Sequence, residues 1–529
     1  MTSYCSLLYL MIFLPAVIVA YALAPARLRW LVLLGASYAF FWELSGKLLL
    51  FLLLSTGAVW LAGLRLAALQ EERNRTVKEL PKPERKAQKA LFQKRQRRVL
   101  AVTVLFELGL LAVLKYAGFT VTNLNHLLAA AGGPILPIPA FVLPIGISFY
   151  TLQAVSYLTD VYRESIKADR NLGRLALFMG FFPQIMEGPI CRYLQTAPAL
   201  WAGRPITWRG LTFGCQRIAF GLLKKMVVAD RLNILIETVF DNYAQYDGGI
   251  IALAMFSYTF QLYMEFSGTM DVVIGSAEIF GVALPENFRQ PFLSRSIAKF
   301  WTRWHITLGT WFKDYVFYPL SVSKKLGALT RAARKRLGNQ FGPMAAAAVA
   351  LFAVWLGNGV WHGAGWNYIF FGLYHFCLIM LENVTEPFVE AAAKRQKFDR
   401  NSRPWRIVQI LRTFLLVNIG ELFFRAESLR AGMAMFGRMA GSFSLAGFRD
   451  GTVWTLGIDG HDFVITAIAL LIVFFLHGLR ERGISVRERL AAWPLALRWA
   501  AYAGLCLFIL IFGAYGKGYI PVDPIYANF

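Results

Sequence analysis

Residues 342–366 read "GPMAAAAVALFAVWLGNGVWHGAGW", and this stretch decides the fold. The part before its histidine carries no charged side chain. At 1.5 Å per residue it is long enough, as a helix, to cross the roughly 30 Å of hydrocarbon in a bilayer. The run ends on His362, between Trp361 and Trp366. A helix that only spans lipid has no use for an imidazole, so the stretch predicts a transmembrane helix with a functional site at its end.

Apolar blocks of similar length recur along the whole chain. Of its 529 residues, 57% are hydrophobic and only 16% are charged. We therefore predict an all-α polytopic membrane protein with about 11 transmembrane helices, plus re-entrant or interfacial helices. The predicted spans are 5–24, 27–42, 46–64, 99–118, 208–228, 249–275, 342–361, 366–383, 406–424, 462–478 and 494–513, and the shorter or broken apolar stretches are 136–158, 172–190 and 296–320.

The basic residues lie between the predicted spans. The net charge is +24, and Lys and Arg concentrate in 65–98, 324–336, 394–406 and 480–489. Such segments are typical of the cytoplasmic side of a multi-pass protein and attract anionic lipid. We therefore predict a plasma-membrane protein that contacts membrane lipid and does not bind nucleic acid. This arrangement puts the N-terminus on the extracytoplasmic side.

The chain is expected to form one integral-membrane domain over 1–529. Within 65–98, the part 71–98 is expected to be a helical hairpin or an interfacial loop. The five cysteines are scattered without C-x-x-C spacing, so we expect neither a disulfide framework nor a metal site. The predicted divisions are N-terminal helices in 1–64, a basic cytoplasmic loop in 65–98, a catalytic core in 99–425 and C-terminal helices in 426–529.

One predicted span is markedly polar, the segment 258–272, "YTFQLYMEFSGTMDV". Most of its polar residues recur every three or four positions and so share one helix face. That face should turn to the bundle interior, where it lines a substrate path or joins helices through hydrogen bonds. Hydrogen bonds between helices do not require two carboxylates, so we favour the substrate path. The residues assigned to it are Gln261, Glu265, Ser267 and Asp271.

The segment 183–193, "PQIMEGPICRY", follows a short apolar stretch. Its prolines interrupt helical hydrogen bonding, which predicts a broken or re-entrant element that lines a cavity. Arg192 is assigned to the substrate path on this basis. A structural turn at the membrane interface is the alternative.

A histidine also lies in 299–319, "KFWTRWHITLGTWFKDYVFYP". Tryptophan and tyrosine mixed with basic residues are typical of a helix at the headgroup boundary. His305 on its own fits an ordinary interfacial histidine. Its neighbours Arg303 and Trp304 are assigned with it to the substrate region.

His362 is the stronger catalytic candidate. The span before it leaves the basic segment 324–336 and travels about 30 Å, which puts His362 deep in the bilayer or toward its outer side. A buried neutral imidazole can take a proton from a hydroxyl group, and the adjacent tryptophans would exclude water. Asn358 and Trp361 are assigned to the same path. The alternative is a hydrogen-bonded core histidine at a helix kink.

Several enzyme signatures are absent from the sequence. It contains no H-E-x-x-H, no G-x-S-x-G and no G-x-x-x-x-G-K-[ST]. A membrane zinc protease, a serine hydrolase of the elbow type and a P-loop ATPase are therefore not supported.

At these same residues the chain resembles the membrane-bound O-acyltransferases, above all the bacterial branch of alginate O-acetyltransferase and the teichoic acid D-alanyl transfer protein. The combination of R-W-H-I-T (303–307) with a downstream W-H-G (361–363) after a span is specific to that group. The similar stretches are "FFPQIMEGPICRY" (181–193), "YTFQLYMEFSGTMDVVIG" (258–275), "LPENFRQPF" (284–292), "FWTRWHITLGTWFKDYVFYPL" (300–320), "GNGVWHGAGWNYIFFGLYHF" (357–376) and "FFRAESL" (423–429).

The resemblance implies acyl transfer to a hydroxyl group, in a helical fold around a central funnel or tunnel. It implies His362 as the catalytic histidine and His305 as the second functional one. It also implies that no cofactor is bound, with an acyl thioester, acetyl-coenzyme A or an acyl carrier protein, as the donor substrate. The expected acceptor is a cell-envelope polymer, reached through an extracytoplasmic or membrane-anchored transferase partner. Glu265-Phe-Ser-Gly-Thr-Met-Asp271 departs from the family's usual Asp-Phe-Ser-Gly-Tyr-Ser-Asp, and Met186 and Glu187 depart before Gly-Pro, which leaves substrate details open.

Two other functions stay open at this point. The chain length favours polysaccharide O-acetylation, whereas the segment "NYIFFGLYH" is similar to the D-alanyl branch. A transporter of a polar or lipid-linked solute would use similar polar spans. Transporters commonly contain paired broken helices in two related halves, and the sequence has no such internal symmetry.

Overall fold

The computed structural model describes residues 3–515. Throughout this part of the chain the regular structure is helical and no strand occurs. The predicted all-α polytopic fold is therefore confirmed, while the central funnel or tunnel stays a prediction. The first helices are α1 Leu14–Leu23, α2 Arg29–Ser45, α3 Leu49–Glu79, α4 Lys82–Ala130, α5 Ile147–Tyr162, α6 Leu172–Gly180, α7 Tyr193–Leu200 and α8 Trp208–Leu222.

The remaining helices include the one that carries the polar segment 258–272 and the one that ends at His362. Two π-helices continue directly from the helix before them, Leu223–Ala229 after Leu222 and Lys313–Phe317 after Phe312. These helices are α9 Asp230–Asp241, α10 Gly248–Ile279, α11 Ile297–Trp301, α12 Ile306–Phe312, α13 Tyr318–Ser321, α14 Lys324–His362, α15 Trp366–Arg395, α16 Arg403–Arg425, α17 Leu429–Gly441, α18 Ala446–Arg449, α19 Gly460–Glu481, α20 Val486–Ala491 and α21 Leu495–Phe512.

Seven helical stretches of the described residues are long and apolar enough to cross a membrane, and the predicted number of about 11 spans stays a prediction. The predicted spans 27–42 and 46–64 fall in one stretch, in which α2 and α3 are joined by a single 3-10 turn. The predicted span 5–24 contains only a shorter apolar helical stretch, Leu8–Leu23. The spans predicted at 208–228 and 249–275 are helical but are too polar to be among the seven, which are Arg29–Glu79, Lys82–Ala130, Lys324–His362, Trp366–Arg395, Arg403–Arg425, Gly460–Glu481 and Leu495–Phe512.

The basic segment 65–98 is helical rather than an open loop. It is formed by the end of α3 and the start of α4, which meet at Leu80 and Pro81. Both of these residues have extended backbone, and Pro81 cannot continue a helix because it lacks an N–H group. Of the two expectations for 71–98, the structure shows the helical one.

The chain packs as two compact units. The N-terminal unit contains the described part of Met1–Cys215 together with Val273–Pro285, and the C-terminal unit contains Gln216–Val272 and the described part of Glu286–Ile525. The predicted single functional domain, with its divisions at 64, 98 and 425, stays a prediction.

In the N-terminal unit the segment between α6 and α7 has irregular backbone and is buried almost throughout. It is held by Tyr4, whose hydroxyl donates to the carbonyl of Phe182 at 2.8 Å and accepts from the amide of Met186 at 3.1 Å. Irregular backbone is tolerated at membrane depth only where it is buried in protein or lines a water-filled cavity. The burial observed here meets that condition.

In the C-terminal unit, α14 and α15 form a tightly packed helical hairpin. A Cβ on Gly359 would lie 2.5 Å from the carbonyl oxygen of Tyr368, and one on Gly372 would lie 2.3 Å from that of Trp355. Only glycine permits such an approach of the two backbones. Because α14 ends at His362, this hairpin fixes the position of the predicted catalytic histidine.

Candidate active site

His362 is the last residue of α14 and is buried, with 6% of its surface exposed. Its ring packs edge-to-face against Trp361 and Phe424, at centroid distances of 5.1 Å in both cases. The chain then turns into α15 through Gly363, where a Cβ would lie 2.3 Å from the ring of Tyr368. The small residues around the histidine thus allow aromatic side chains to surround it.

His305 lies between α11 and α12 and is also buried. Its backbone is left-handed, with φ 45° and ψ 52°, which is rare for a residue with a side chain. Its Nδ1 lies 3.4 Å from Oδ1 of Asn287. Burial lowers the pKa of this imidazole to about 3. His305 lies outside the seven apolar helices, and its ring is neutral at physiological pH.

The two predicted histidines meet at one tryptophan. The ring of Trp361 lies 5.7 Å from that of His305 and 5.1 Å from that of His362, centroid to centroid. Phe266, on α10, packs edge-to-face on His305 at 4.9 Å. The structure therefore brings both histidines, Trp361 and the polar helix α10 together within the C-terminal unit.

The predicted polar face of α10 is buried but is not paired throughout. Gln261 donates from Nε2 to Oδ1 of Asn233 at 2.6 Å, so that amide joins two helices. In contrast, Oε2 of Glu265 and Oγ of Ser267 have no hydrogen-bond partner among residues 3–515, and the same holds for Oδ1 of Asn358 on α14. Buried polar atoms are normally paired, so an unpaired one calls for an explanation, such as a bound water or ion or a role in catalysis.

Asp271 has a different environment. Its two carboxylate oxygens accept from Nζ of Lys224 at 2.6 Å and from Nε of Arg217 at 3.0 Å. Arg217 also donates to Glu286 at 2.6 Å. These ion pairs by themselves account for a carboxylate at this position.

Trp304 and Arg303 lie beside His305 in different surroundings. Trp304 packs among aromatic rings, including Phe288 at 5.2 Å and Phe300 at 5.4 Å. The guanidinium of Arg303 donates to the carbonyl of Gln290 at 3.3 Å. These contacts fix the backbone segment directly before His305.

Arg192 belongs to the N-terminal unit, where it precedes α7. Its amide N–H donates to Oε1 of Gln195 at 2.9 Å, which caps the start of that helix. Its assignment to the substrate path stays a prediction.

Comparison with known proteins adds an independent observation. The model of the membrane-bound O-acyltransferase family matches residues 143–333, which include His305. The chain is 31% identical over 517 residues to the probable alginate O-acetylase of Pseudomonas putida, which covers 96% of this chain and 95% of that protein. The chain belongs to the membrane-bound O-acyltransferase family.

Other relatives in this family act on other polymers. A peptidoglycan O-acetyltransferase of Helicobacter pylori is 28% identical over 65% of this chain and 64% of its own length. A teichoic acid D-alanyltransferase of Bacillus subtilis is 31% identical over 54% of this chain and 69% of its own length. The chain is accordingly a multi-pass membrane O-acyltransferase.

The structure of this O-acyltransferase also shows residues near the site that the sequence did not single out. Asn287 contacts His305, and Glu421 on α16 accepts from Oγ1 of Thr259 at 2.5 Å while buried. His375, on α15, accepts from the indole N–H of Trp301 at 3.3 Å. Asn287 lies in the stretch 284–292, which is similar to the family. That similarity points to the segment but does not single out Asn287. Glu421, a lone carboxylate in the apolar run 406–424, was a signal that could have been used.

Proposed function

We propose that this acyltransferase moves an acetyl group from a cytoplasmic thioester donor to hydroxyl groups of a cell-envelope polysaccharide. The donor is acetyl-coenzyme A or an acyl carrier protein. The proposal is supported by the relative that covers almost the whole chain, which is named as a probable alginate O-acetylase, and by the peptidoglycan O-acetyltransferase. The acceptor in each of those proteins is a polymer with free hydroxyl groups.

The observation that carries the mechanism is the pair of buried histidines on Trp361. In the proposed reaction the acceptor oxygen attacks the thioester carbonyl carbon while the imidazole of His362 takes the hydroxyl proton. An ester bond forms, the carbon–sulfur bond breaks, and the leaving thiolate takes the proton back from His362. His305 positions the acceptor or the donor. The surrounding aromatic rings keep out water, which would otherwise hydrolyse the thioester.

The unpaired polar atoms supply contacts for the substrates. Oε2 of Glu265, Oγ of Ser267 and Oδ1 of Asn358 are buried, and no described residue pairs with them. A hydroxylated acceptor or the amides of a thioester donor would provide the missing partners. This supports the assignment of the polar face of α10 to the substrate path.

The proposed direction of transfer follows from charge. The basic segments 65–98, 324–336, 394–406 and 480–489 would lie in the cytoplasm, where the donor is made. The end of α14 that carries His362 would then lie toward the outer side. The acyl group would cross the membrane and reach the polymer directly or through an exported or membrane-anchored transferase partner.

The test uses purified protein in proteoliposomes with radiolabelled acetyl-coenzyme A, and with alginate as the probe acceptor. His362→Ala should lower transfer at least about 100-fold, since general base catalysis typically contributes 10²–10⁴-fold. His305→Ala should impair transfer while the protein remains folded in the membrane. The matched control is His461→Ala, because the side chain of His461 is 94% exposed.

Each result has a distinct meaning. Normal transfer by His362→Ala would remove His362 from the mechanism. Loss of the His305→Ala protein from the membrane would instead show a structural role for His305. The control should match the unmodified protein in both amount and rate.

D-alanyl transfer to teichoic acid is the second candidate. It is supported by the 31% identity to the D-alanyltransferase, which spans 69% of that protein. The same proteoliposomes supplied with D-alanyl carrier protein and a teichoic acid acceptor separate the two candidates. Transfer of D-alanine but not of acetate would favour this candidate over O-acetylation.

A further inference from the structure

Helix α12 begins in an unusual way. Its N-cap position is occupied by His305, whose side chain makes no capping hydrogen bond. The first amide N–H groups of a helix have no partner within the helix. They usually donate to the side-chain oxygen of a serine, threonine, aspartate or asparagine at the N-cap position. The left-handed backbone of His305 is a further cost, so the surroundings must hold this turn in place.

Asn287 supplies the missing cap from another part of the chain. Its backbone carbonyl accepts from the amide of Ile306 at 3.0 Å. Its side-chain Oδ1 accepts from the amide of Thr307 at 3.0 Å and from Oγ1 of Thr307 at 2.8 Å. Asn287 is only 1% exposed, so these contacts are shielded from water.

These contacts fix which end of the Asn287 amide faces the histidine. The amide N–H of Thr307 can only donate, so the atom that it meets must be the oxygen of Asn287. The nitrogen Nδ2 is directed to Sδ of Met270, at 3.3 Å. The oxygen is therefore the atom that lies 3.4 Å from Nδ1 of His305.

We infer that Asn287 is a positioning residue for acyl transfer, which sets the tautomer of His305 with the proton on Nδ1 and the lone pair on Nε2. An acceptor oxygen repels a lone pair and attracts an N–H group, so the neutral ring carries its single proton on Nδ1. The distance is long for a hydrogen bond, as is common in catalytic sites without substrate.

The tautomer decides what His305 can do. With its lone pair on Nε2, the ring accepts a hydrogen bond from the acceptor hydroxyl and orients it toward the thioester. In the other tautomer Nε2 would be a donor and could not hold the hydroxyl in this way. This consequence rests on the role of His305 in the proposed function, whereas the tautomer itself does not.

The tautomer is measured by ¹⁵N NMR on the full-length protein labelled with [¹⁵N]histidine in liposomes. The chain has six histidines, so subtraction of the His305→Gln spectrum assigns the signals. The expected result is a protonated Nδ1 and an unprotonated Nε2 at His305. A protonated Nε2 with a bare Nδ1 would overturn the inference.

Three variants separate tautomer control from helix capping. Asn287→Ala removes the acceptor and should move the proton of His305 toward Nε2. It should lower kcat about 10- to 100-fold with little change in KM, by analogy with the loss of an orienting partner from a metal-bound histidine. Asn287→Asp keeps an acceptor for Thr307 and for His305, so Nδ1 should stay protonated. Thr307→Val removes one hydrogen bond to the same oxygen but leaves the contact with His305, so its spectrum should match the unmodified protein.

The experiment distinguishes failure of the inference on Asn287 from failure of the proposed function. An unchanged His305 spectrum in Asn287→Ala would overturn the inference, as would Asn287→Asp behaving like Asn287→Ala. If the tautomer follows Asn287 as expected but His305→Gln transfers acetate normally, the assignment of Asn287 stands as tautomer control and the proposed role of His305 fails.

Discussion

At the residue scale, two carboxylates on the same helix have opposite surroundings. Asp271 is enclosed by the cations of Lys224 and Arg217, whereas Oε2 of Glu265 has no partner within residues 3–515. Both were assigned to a substrate path because they share a polar helix. A charge in the membrane region is costly unless it is paired, so Asp271 already has a structural reason to be present. Within the described part of the chain, Glu265 has a hydrogen-bond partner only at Oε1, which accepts from Oγ1 of Thr269 at 3.4 Å, so Glu265 keeps the stronger claim to a substrate contact.

The ion pairs of Asp271 lead to a prediction about stability. Asp271→Asn should destabilise the protein by about 3–5 kcal/mol, because it leaves the buried Lys224 without its counter-ion. The matched control is Glu286→Gln, whose side chain is 38% exposed in the same group of ion pairs and should cost less. The measurement is the thermal unfolding temperature in detergent. A large loss of transfer by Asp271→Asn with unchanged stability would contradict the structural reading and favour the substrate path.

At the element scale, the hairpin of α14 and α15 determines where His362 lies. The helices approach so closely at Gly359 and Gly372 that backbone meets backbone. Helix pairs in membranes rely on such small residues, because lipid provides no hydrophobic force to press two apolar helices together. The glycines of "GNGVWHGAGW" therefore serve helix packing as well as the space around the histidine.

The hairpin leads to a prediction for Gly372→Ala. The added methyl group would lie 2.3 Å from the carbonyl oxygen of Trp355, and rigid backbone cannot move aside easily. We expect a loss of about 1–3 kcal/mol in stability, together with reduced transfer as His362 is displaced. The measurements are thermal unfolding and the proteoliposome assay.

Gly478→Ala is the control for this prediction. Gly478 also lies within a long apolar helix, α19, but nothing lies within 4 Å of its added methyl group. Alanine should be tolerated there, or should stabilise the helix by up to about 1 kcal/mol. Equal destabilisation by both substitutions would show that helix flexibility, rather than close packing, explains the glycine at 372.

At the scale of the whole molecule, the distribution of charge predicts how the chain crosses the membrane. The helical ends at 65–98 and the segment 480–489 are strongly basic, whereas the start of α19 carries Asp459 and Asp462. Basic segments favour the cytoplasmic side. Since α19 is one of the seven apolar helices, its two ends should lie on opposite sides of the membrane.

Cysteine labelling in intact cells tests this topology. In a background with the native cysteines removed, Lys86→Cys should react with a membrane-impermeant maleimide only after the cells are opened. His461→Cys, at the start of α19, should react in intact cells. Both residues are exposed in the structure, so accessibility to the reagent is not limited by burial. Labelling of Lys86→Cys from outside would reverse the proposed orientation and the direction of transfer.

Hydropathy, charge and two short motifs were enough to predict the helical membrane fold and the family. The catalytic roles that they assign to His305 and His362 stay predictions. The predicted number of about 11 spans stays a prediction, since 208–228 and 249–275 are helical but are not among the seven apolar helices of the described residues. The same signals missed Asn287 and Glu421, since a single amide in a loop and a single carboxylate in a span give no periodic signal. The contacts of those residues arise only when distant segments pack together.

The sequence by itself therefore determined the class of the protein, because bilayer thickness and the cost of buried charge act on local stretches of chain. The tertiary structure alone decided that His305 and His362 share the indole of Trp361, and that Asn287 faces His305. It also decided that both carboxylate oxygens of Asp271 are paired with cations, whereas Oε2 of Glu265 has no hydrogen-bond partner within residues 3–515. These outcomes depend on distances between segments far apart in the chain, which no local pattern encodes.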